Sequence, residues 1–568
     1  MIELSIVLFS AFLLAWPLGR YMSGIFSGQT HFSDRVFLPL ENLIYRLLGI
    51  RIEQGMDWKT YAITFLISNL VLGVFIFILL LVQQDLPMNP DHIGSLPWHT
   101  ALHTAISFLT NTDQQHYSGQ AQLSYFSQSV ALVTLMFVTP AMGLAVCVAV
   151  LRGLLGGRHA DKAQEGDVRD LGNYYVDLVR GIIRLFIPLA CILALCLASQ
   201  GVPSTYRGAQ NITVLDSAVS MKEQTLPIGP VAAMIAIKQL GSNGGGWYGP
   251  NSAHPMENPT PLSNALQTIA IILMPMAIVF MAGGLLNNKP FGWMSFAAML
   301  LLSATLIAST LYSEHLPNHA FAGLSAIGPN MEGKEVRFSS EMSSLWATLT
   351  TQTSNGSVNT MHDSLNPLAG LTTRIGMLMN TIWGGIGCGF VNFMVYVLMA
   401  VFLSGLMIGR TPEIFGRKIE TQEITLLAAL VVLPTLCILS FTAIAIAIPS
   451  ITGSSNPGFH GISQVFYEYT SAFANNGSGF EGLGDGNAWW NLSTSVCLLL
   501  GRYLPLVIPL AIAGSLSSKR VAPESAGTLR LENVTFCLTL VSIIIILNVL
   551  SFLPTLVLGP IGEALQLR

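Results

Sequence analysis

The residues of this chain best equipped to do chemistry are four knots of Thr, Ser, Asn and Gly: Thr110–Asp113, Gly241–Gly246, Thr353–Ser357 and Asn475–Ser478. They recur at intervals of roughly 110 to 130 residues, each between two long apolar runs. Such strips supply oxygen ligands, above all backbone carbonyls, which replace the water shell of a monovalent cation. Carbonyls that all aim inward need backbone angles a Cβ resists, which is the use of Gly244, Gly356 and Gly477. Asn111, Thr112, Ser242, Asn243, Ser354, Asn355, Asn475 and Asn476 can tie the strips to their surroundings or add oxygens. The first knot lacks the glycine, so Asp113 or Gln115 would offer a side-chain oxygen there. One Asn-Gly alone is an ordinary turn; three, with a fourth Thr/Asn knot at the same place in the repeating unit, read as one ion site.

Each knot follows a segment too short to cross a bilayer: "PWHTALHTAISFL", "GPVAAMIAIKQL", "SEMSSLWATLTTQ" and "GISQVFYEYTSAF". These suit re-entrant helices that enter and leave on one side, buried among other helices. Pro97, Pro230 and Ser340 or Ser343 would open them, and Gly241, Gly356 and Gly477 suit the turns beyond. Such a helix aims about half a negative charge at the pore axis. At ~5 Å and an effective dielectric of about 20, that attracts a cation by roughly 1–2 kcal/mol. The carbonyl cage must supply most of the rest.

The elements that must carry these strips are membrane helices. The chain is 52% hydrophobic and 10% charged, against roughly 25% charged in soluble domains. Ten runs approach or exceed the ~20 apolar residues that cross a bilayer core. They lie near 3–22, 60–82, 129–151, 181–199, 264–286, 292–312, 371–409, 422–449, 488–514 and 532–557. The expected fold is all-α and integral to the membrane: ten transmembrane helices, with four membrane-pore-membrane pseudo-repeats around one pore and an extra helix at each end. The boundaries fall at 1–59 (first helix and loop), 60–151, 152–286, 287–409 and 410–515 (the four repeats) and 516–568 (last helix). The first span lacks a basic leader and a cleavage site, so it reads as a retained helix. Of 26 Lys and Arg, 18 lie in 20–59, 152–184, 287–291, 410–420 and 516–530, whereas 83–128 and 450–487 hold none. The positive-inside tendency then leaves both termini and all four knots on the outer side. A net charge of −4 gives no reason to expect a nucleic-acid partner. The seven Cys form no Cys-x-x-Cys and read as small apolar residues.

At these motifs the sequence resembles the KdpA family, the potassium-binding component of the Kdp potassium-transporting ATPase, in the superfamily of K+ transporters. The matching strings are Thr110-Asn111-Thr112 with Tyr117-Ser118-Gly119, Leu240 through Gly246, Asn359-Thr360-Met361-His362-Asp363, Tyr469-Thr470-Ser471-Ala472 and Gly409-Arg410-Thr411-Pro412-Glu413. The resemblance covers essentially the whole chain. It implies selective potassium binding from outside, in a bacterial inner membrane. The implied partners are KdpB (the P-type ATPase), KdpC and the small single-span KdpF. It implies no covalently bound cofactor and no catalytic site in this chain, with ATP used by the partner. Its selectivity positions carry over to Thr112, Gln115, Asn243, Gly244, Ser354, Gly356, Asn476 and Gly477. Two positions depart from it. Asp113 stands where an uncharged Asn is expected, and Asn380 where a Glu would align, so an ion pair from position 380 to Arg502 is not expected.

Arg502 falls mid-span, where a charge must face the protein interior; it either braces the filter region or repels leaking cations. The run 371–409 is too long for one straight span, and its Gly384–Gly389 patch is either a break or a close helix contact. The resemblance implies a broken helix whose loop, with Gly385 and Gly387, obstructs passage to the cytoplasm, with Arg410 part of that gate. By charge alone Arg410 is a cytoplasmic anchor. His99 and His103 share a helix face but lack a third ligand in sequence, so no metal beyond potassium is expected. The chain has no Gly-x4-Gly-Lys-Ser/Thr and no Asp-Lys-Thr-Gly-Thr. The expected role is a non-catalytic, ion-selective subunit, with a free-standing channel or symporter of the Trk, Ktr and HKT kind as the alternative.

Overall fold

The computed structural model describes residues 2–157, 169–216, 220–321, 328–409, 411–453, 455–522 and 529–567. An apolar run in hydrocarbon must satisfy its own backbone, so it coils into a helix. Among the described residues ten helices are long and apolar enough to cross a membrane. They are α1 (Ile2–Ser27), α3 (Trp58–Leu81), α5 (Ser127–Leu154), α6 (Tyr174–Ser199), α8 (Pro261–Leu285), α9 (Lys289–His315), α12 (Cys388–Ile408), α13 (Thr421–Ala447), α15 (Ala488–Ser517) and α16 (Val534–Gln566). Helices α5 and α8 are almost wholly enclosed, whereas α1, α3, α13 and α16 bury only a narrow stripe. Their outward residues, such as Leu70, Val74 and Phe75 on α3, form the lipid face.

Four shorter helices sit among the spans as expected: α4 (Trp98–Leu109), α7 (Val231–Leu240), α10 (Ser340–Gln352) and α14 (Gly458–Phe473). Pro97 and Pro230 precede the first two, and the Ser339 hydroxyl caps α10 by accepting from Met342 N–H at 3.2 Å. Gly356 and Gly477 are not the turns that end these helices; the residues directly beyond them are Thr110, Gly241, Thr353 and Ala474. The two glycines lie further on, inside the strips.

The run 371–409 is broken, as the resemblance implies: α11 (Pro367–Met379) and α12 are joined by a loop whose Asn380, Trp383, Gly384 and Gly387 all take positive φ. One stretch differs from the sequence reading. The basic segment after α1 is not a plain loop, since residues Asp34–Leu48 form a helix, α2. Buried Arg184 on α6 pairs with Asp34 and Glu41 of α2, while Val36, Leu43, Leu47 and Leu48 stay exposed. An amphipathic helix held by its acids with leucines outward suits the membrane–water boundary. Two small hairpins lie outside the helices, β1 (Gln210–Thr213) with β2 (Glu223–Leu226) and β3 (Glu413–Ile414) with β4 (Arg417–Lys418). Arg417 donates to the carbonyls of Leu154 and Leu155, capping the end of α5. Of the cysteines, Cys191 is exposed and not buried as its sequence context suggests.

Candidate ion-binding ring

Beyond each short helix the backbone changes hand at alternate residues. Positive φ occurs at Asn111 and Asp113 (60° and 51°), Ser242 and Gly244 (51° and 75°), Ser354 and Gly356 (51° and 81°), and Asn475 and Gly477 (52° and 98°). The residue between each pair, Thr112, Asn243, Asn355 or Asn476, is not left-handed. Alternating hand turns successive carbonyls toward the same side, the arrangement of a carbonyl filter. The same hydrogen bond anchors all four strips: the N–H of Thr112, Asn243, Asn355 and Asn476 donates to the carbonyl of Ser107, Lys238, Thr350 and Ser471 at 3.0, 3.0, 3.0 and 2.9 Å.

The strips close on one another. A Cβ added to Gly244 would collide with the Asn355 carbonyl, one on Gly356 with that of Asn476, and one on Gly477 with that of Thr112. On Gly245 it would sit 3.0 Å from the Asp113 carbonyl. Strip one therefore meets two, two meets three, three meets four, and four returns to one. The side chains fasten these seams. Asn111 Nδ2 donates to the Ser242 carbonyl (2.9 Å), Ser242 Oγ to that of Thr353 (2.6 Å), Asn355 Nδ2 to that of Lys238 (3.1 Å) and Asn476 Nδ2 to that of Thr350 (2.7 Å). Asn475 Nδ2 reaches the Leu498 carbonyl on α15 at 3.2 Å. These side chains are taken up by main-chain carbonyls, including that of Ser242 within strip two, so an ion would be met by the strip carbonyls that accept none of these bonds.

Gln115 behaves the same way. Its Oε1 accepts from Gly246 N–H at 2.8 Å and its Nε2 donates to the Gly246 carbonyl at 2.9 Å, so it clamps strip two instead of extending a free oxygen. Asp113 takes the place that Gly244, Gly356 and Gly477 hold elsewhere. It is buried, and neither carboxylate oxygen has a hydrogen-bond partner among the described residues.

Beneath the ring runs the α11–α12 loop. Gly384 N–H donates to the Gln352 carbonyl at 2.9 Å, and a Cβ on Gly385 would lie 3.5 Å from Ser354 Cβ, so this end touches strip three. Gly387 packs on the Gly143 carbonyl of α5, which leads away from strip one. Strips one and three are opposite in the ring, so the loop crosses its axis. Arg502 is buried at that crossing, donating to the Thr139 carbonyl (3.1 Å) and toward Cys388 Sγ (3.4 Å). Asn380 does not reach Arg502; it accepts from Ser354 Oγ at 2.9 Å and donates to the Ala474 carbonyl at 3.3 Å. Arg410 lies outside the described residues.

Sequence reasoning missed two parts. Lys238, the one cation on an otherwise apolar short helix, donates to the Gly245 carbonyl at 3.0 Å and pairs with buried Glu257. Its isolation in an apolar helix was the available signal. Asn380, in sequence only a departure from the family pattern, bridges Ser354 and Ala474. His99 and His103 do not act as a pair: His99 Nδ1 meets Asn491, and His103 stacks on His116 with ring centroids 3.9 Å apart.

Four re-entrant helices whose strips close into one ring of carbonyls, inside a ten-helix bundle, define a membrane cation transporter of the four-unit pore class. The chain belongs to the Potassium-transporting ATPase A subunit family, KdpA, whose model matches residues 5–565. It is 48% identical over 96% of its length to a Potassium-transporting ATPase potassium-binding subunit of Gloeobacter violaceus, covering 94% of that protein. It is 44% identical over its whole length to the protein so named in Synechocystis, covering 99% of it. The potassium transporter TrkH from Vibrio parahaemolyticus has a similar fold, with a TM-score of 0.51 over 89% of this chain and 97% of that one. At 14% identity that likeness concerns the fold alone.

Proposed function

We propose that this chain is the ion-selective subunit of an ATP-driven potassium uptake pump. It takes potassium from the outer side into the ring formed by residues 111–113, 242–244, 354–356 and 475–477 and passes it to a P-type ATPase partner. The observation that carries this reading is the alternation of left-handed residues, repeated in four strips that share one anchoring hydrogen bond. The loop crossing under the ring favours a blocked straight exit, so the ion leaves sideways toward the partner, with Gly385, Gly387, Arg410 and Arg502 acting as the gate. On this reading the chain resides in a bacterial inner membrane with both termini outside, beside KdpB, KdpC and the small single-span KdpF. ATP is hydrolysed by KdpB, and the repeats divide at 59, 151, 286, 409 and 515.

The test is potassium-stimulated ATP hydrolysis by the complex extracted in mild detergent, with wild-type chain and with Gly244→Asp. The variant puts a side chain and a charge against the Asn355 carbonyl. It should shift the potassium requirement and admit sodium. If no ATPase co-purifies and the chain alone conducts potassium in liposomes, it is a free-standing channel of the Trk, Ktr or HKT kind.

A further inference from the structure

At the seam between strips four and one, three side chains remote in sequence converge: His116 just after strip one, Glu468 on α14 and Asp485 in the loop after strip four. One ligand atom from each lies within 4.8 Å of the others. His116 Nε2 is 3.1 Å from Glu468 Oε1 and 3.9 Å from Asp485 Oδ2. The imidazole's orientation is fixed from behind. Asn491 Nδ2 donates to His99 Nδ1 at 2.8 Å, which turns Asn491 Oδ1 toward His116 Nδ1, also at 2.8 Å. The Nδ1 of His116 must therefore carry its hydrogen, and a neutral ring presents the Nε2 lone pair to two carboxylates. That arrangement needs a cation between nitrogen and carboxylates, either the second ring proton, donated to Glu468 Oε1 at 3.1 Å, or a metal ion. A ring nitrogen whose other N–H is held by a neighbouring oxygen is how metal-binding histidines are positioned.

We propose that His116, Glu468 and Asp485 form a site for a divalent transition-metal ion of the zinc class, bridging the first and fourth pore units at the mouth of the ring. One nitrogen with two carboxylate oxygens suits zinc, with a water in the fourth position. A tetrahedral ion with bonds of about 2.0 Å holds its ligand atoms roughly 3.3 Å apart. The His116–Glu468 separation of 3.1 Å is close to that already, and Asp485 must close on His116 Nε2 from 3.9 Å. The His116 and Glu468 side chains are 0% and 2% exposed, but that of Asp485 is 34% exposed, so an ion can enter from its side. Two negative charges balance the ion, and Gln114 supports the bridge by donating to Glu468 Oε1. The site is distinct from the carbonyl ring, and it does not depend on which cation that ring selects.

The experiment is metal content and Zn2+ titration of the detergent-purified full-length chain, with Co2+ as an absorbing substitute. Wild type should retain one Zn2+ per chain after gel filtration and give the visible bands of tetrahedral Co2+. His116→Gln and Asp485→Asn should each weaken binding at least tenfold, and millimolar Ca2+ should not compete. Asp485 is at the surface, so its variant keeps the test usable if His116→Gln fails to fold. Retention of less than stoichiometric Zn2+ by wild type, or equal binding by wild type and both variants, would overturn the proposal and leave a protonated His116–Glu468 pair. Displacement by Ca2+ would overturn the assignment to the zinc class.

Discussion

Gly356→Ala tests whether the ring binds through its backbone. Gly356 has φ of +81°, and its added Cβ would meet the Asn476 carbonyl and, at 3.1 Å, Gly477 Cα. Both neighbours are main chain and cannot rotate aside. Close packing leaves no void to absorb the methyl, so strip four must retreat by roughly an ångström. At an effective dielectric of about 20, moving half a charge from about 3 to about 4 Å from a cation loses roughly 0.7 kcal/mol. Displacing two adjacent carbonyls loses roughly 1.4 kcal/mol, which is about tenfold in affinity. The left-handed backbone adds roughly 1–2 kcal/mol of strain, felt chiefly as lower stability. Gly453→Ala separates the two effects, because Gly453 has φ of +58° with nothing within 4 Å of its added Cβ. Potassium titration calorimetry on both purified variants should show about tenfold weaker binding for Gly356→Ala alone, while both lose thermal stability. Wild-type affinity in Gly356→Ala, or equal weakening in the two, would refute the carbonyl-ring argument.

Three further outcomes follow from neighbouring groups. Asp113 is buried with both oxygens unpartnered, an environment that favours the neutral acid. Asp113→Asn should therefore leave potassium affinity within about twofold, and a tenfold loss would mean that the carboxylate is charged. Arg502→Met removes a buried charge that has no carboxylate partner among the described residues. Folding should tolerate it, whereas proteoliposomes should leak potassium in a flux assay; tight vesicles would make Arg502 purely structural. His460 bridges Asp363 (2.9 Å) and Glu563 (2.7 Å). Burial opposes its charge, but the two carboxylates outweigh burial and push its pKa up from 6.5 to about 9. A raised pKa means the bridge stabilises fully below about pH 6.5 and fades as pH rises through about 9. The melting-temperature gap between wild type and His460→Gln should shrink over that window, and a constant gap would rule out a charged bridge.

Ten spans and four re-entrant helices were legible because each follows from an unbroken apolar run or its interruption. The four knots were legible because Gly, Asn and Ser beside a short helix have few structural uses in common. What escaped was set by tertiary contact. Nothing near Asn380 in sequence says that it joins Ser354 to Ala474. Gln115 looked like an ion ligand because an amide oxygen beside a filter can be one. Only the position of Gly246, 131 residues away, turns it into a clamp. His116 and Glu468 are 352 residues apart, beyond any local spacing rule. Helix α2 was hidden by its charges, which read as a basic loop until Arg184 on α6 is seen to neutralise Asp34 and Glu41.

The division between what repeats and what does not also explains why one chain makes this ring. The backbone repeats: one anchoring bond and one left-handed alternation recur in all four strips. The fastenings repeat only in part: Asn355 and Asn476 each reach the anchoring carbonyl of the preceding unit, and the rest differ from seam to seam. Gln115 clamps strip one to two, and Lys238 with Glu257 steadies strip two at Gly245. Asn380 links strip three to four from below, and His116 with Glu468 joins four to one at the mouth. In a symmetric tetramer every seam would carry the same device, and an ion's surroundings would be alike on all sides. Here the carbonyls provide a near-symmetric cage, while each seam can differ in charge, stiffness and response to ligands. On the proposed function, asymmetry of that kind is what a transport protein needs if it hands its ion to a neighbour instead of letting it fall through the centre.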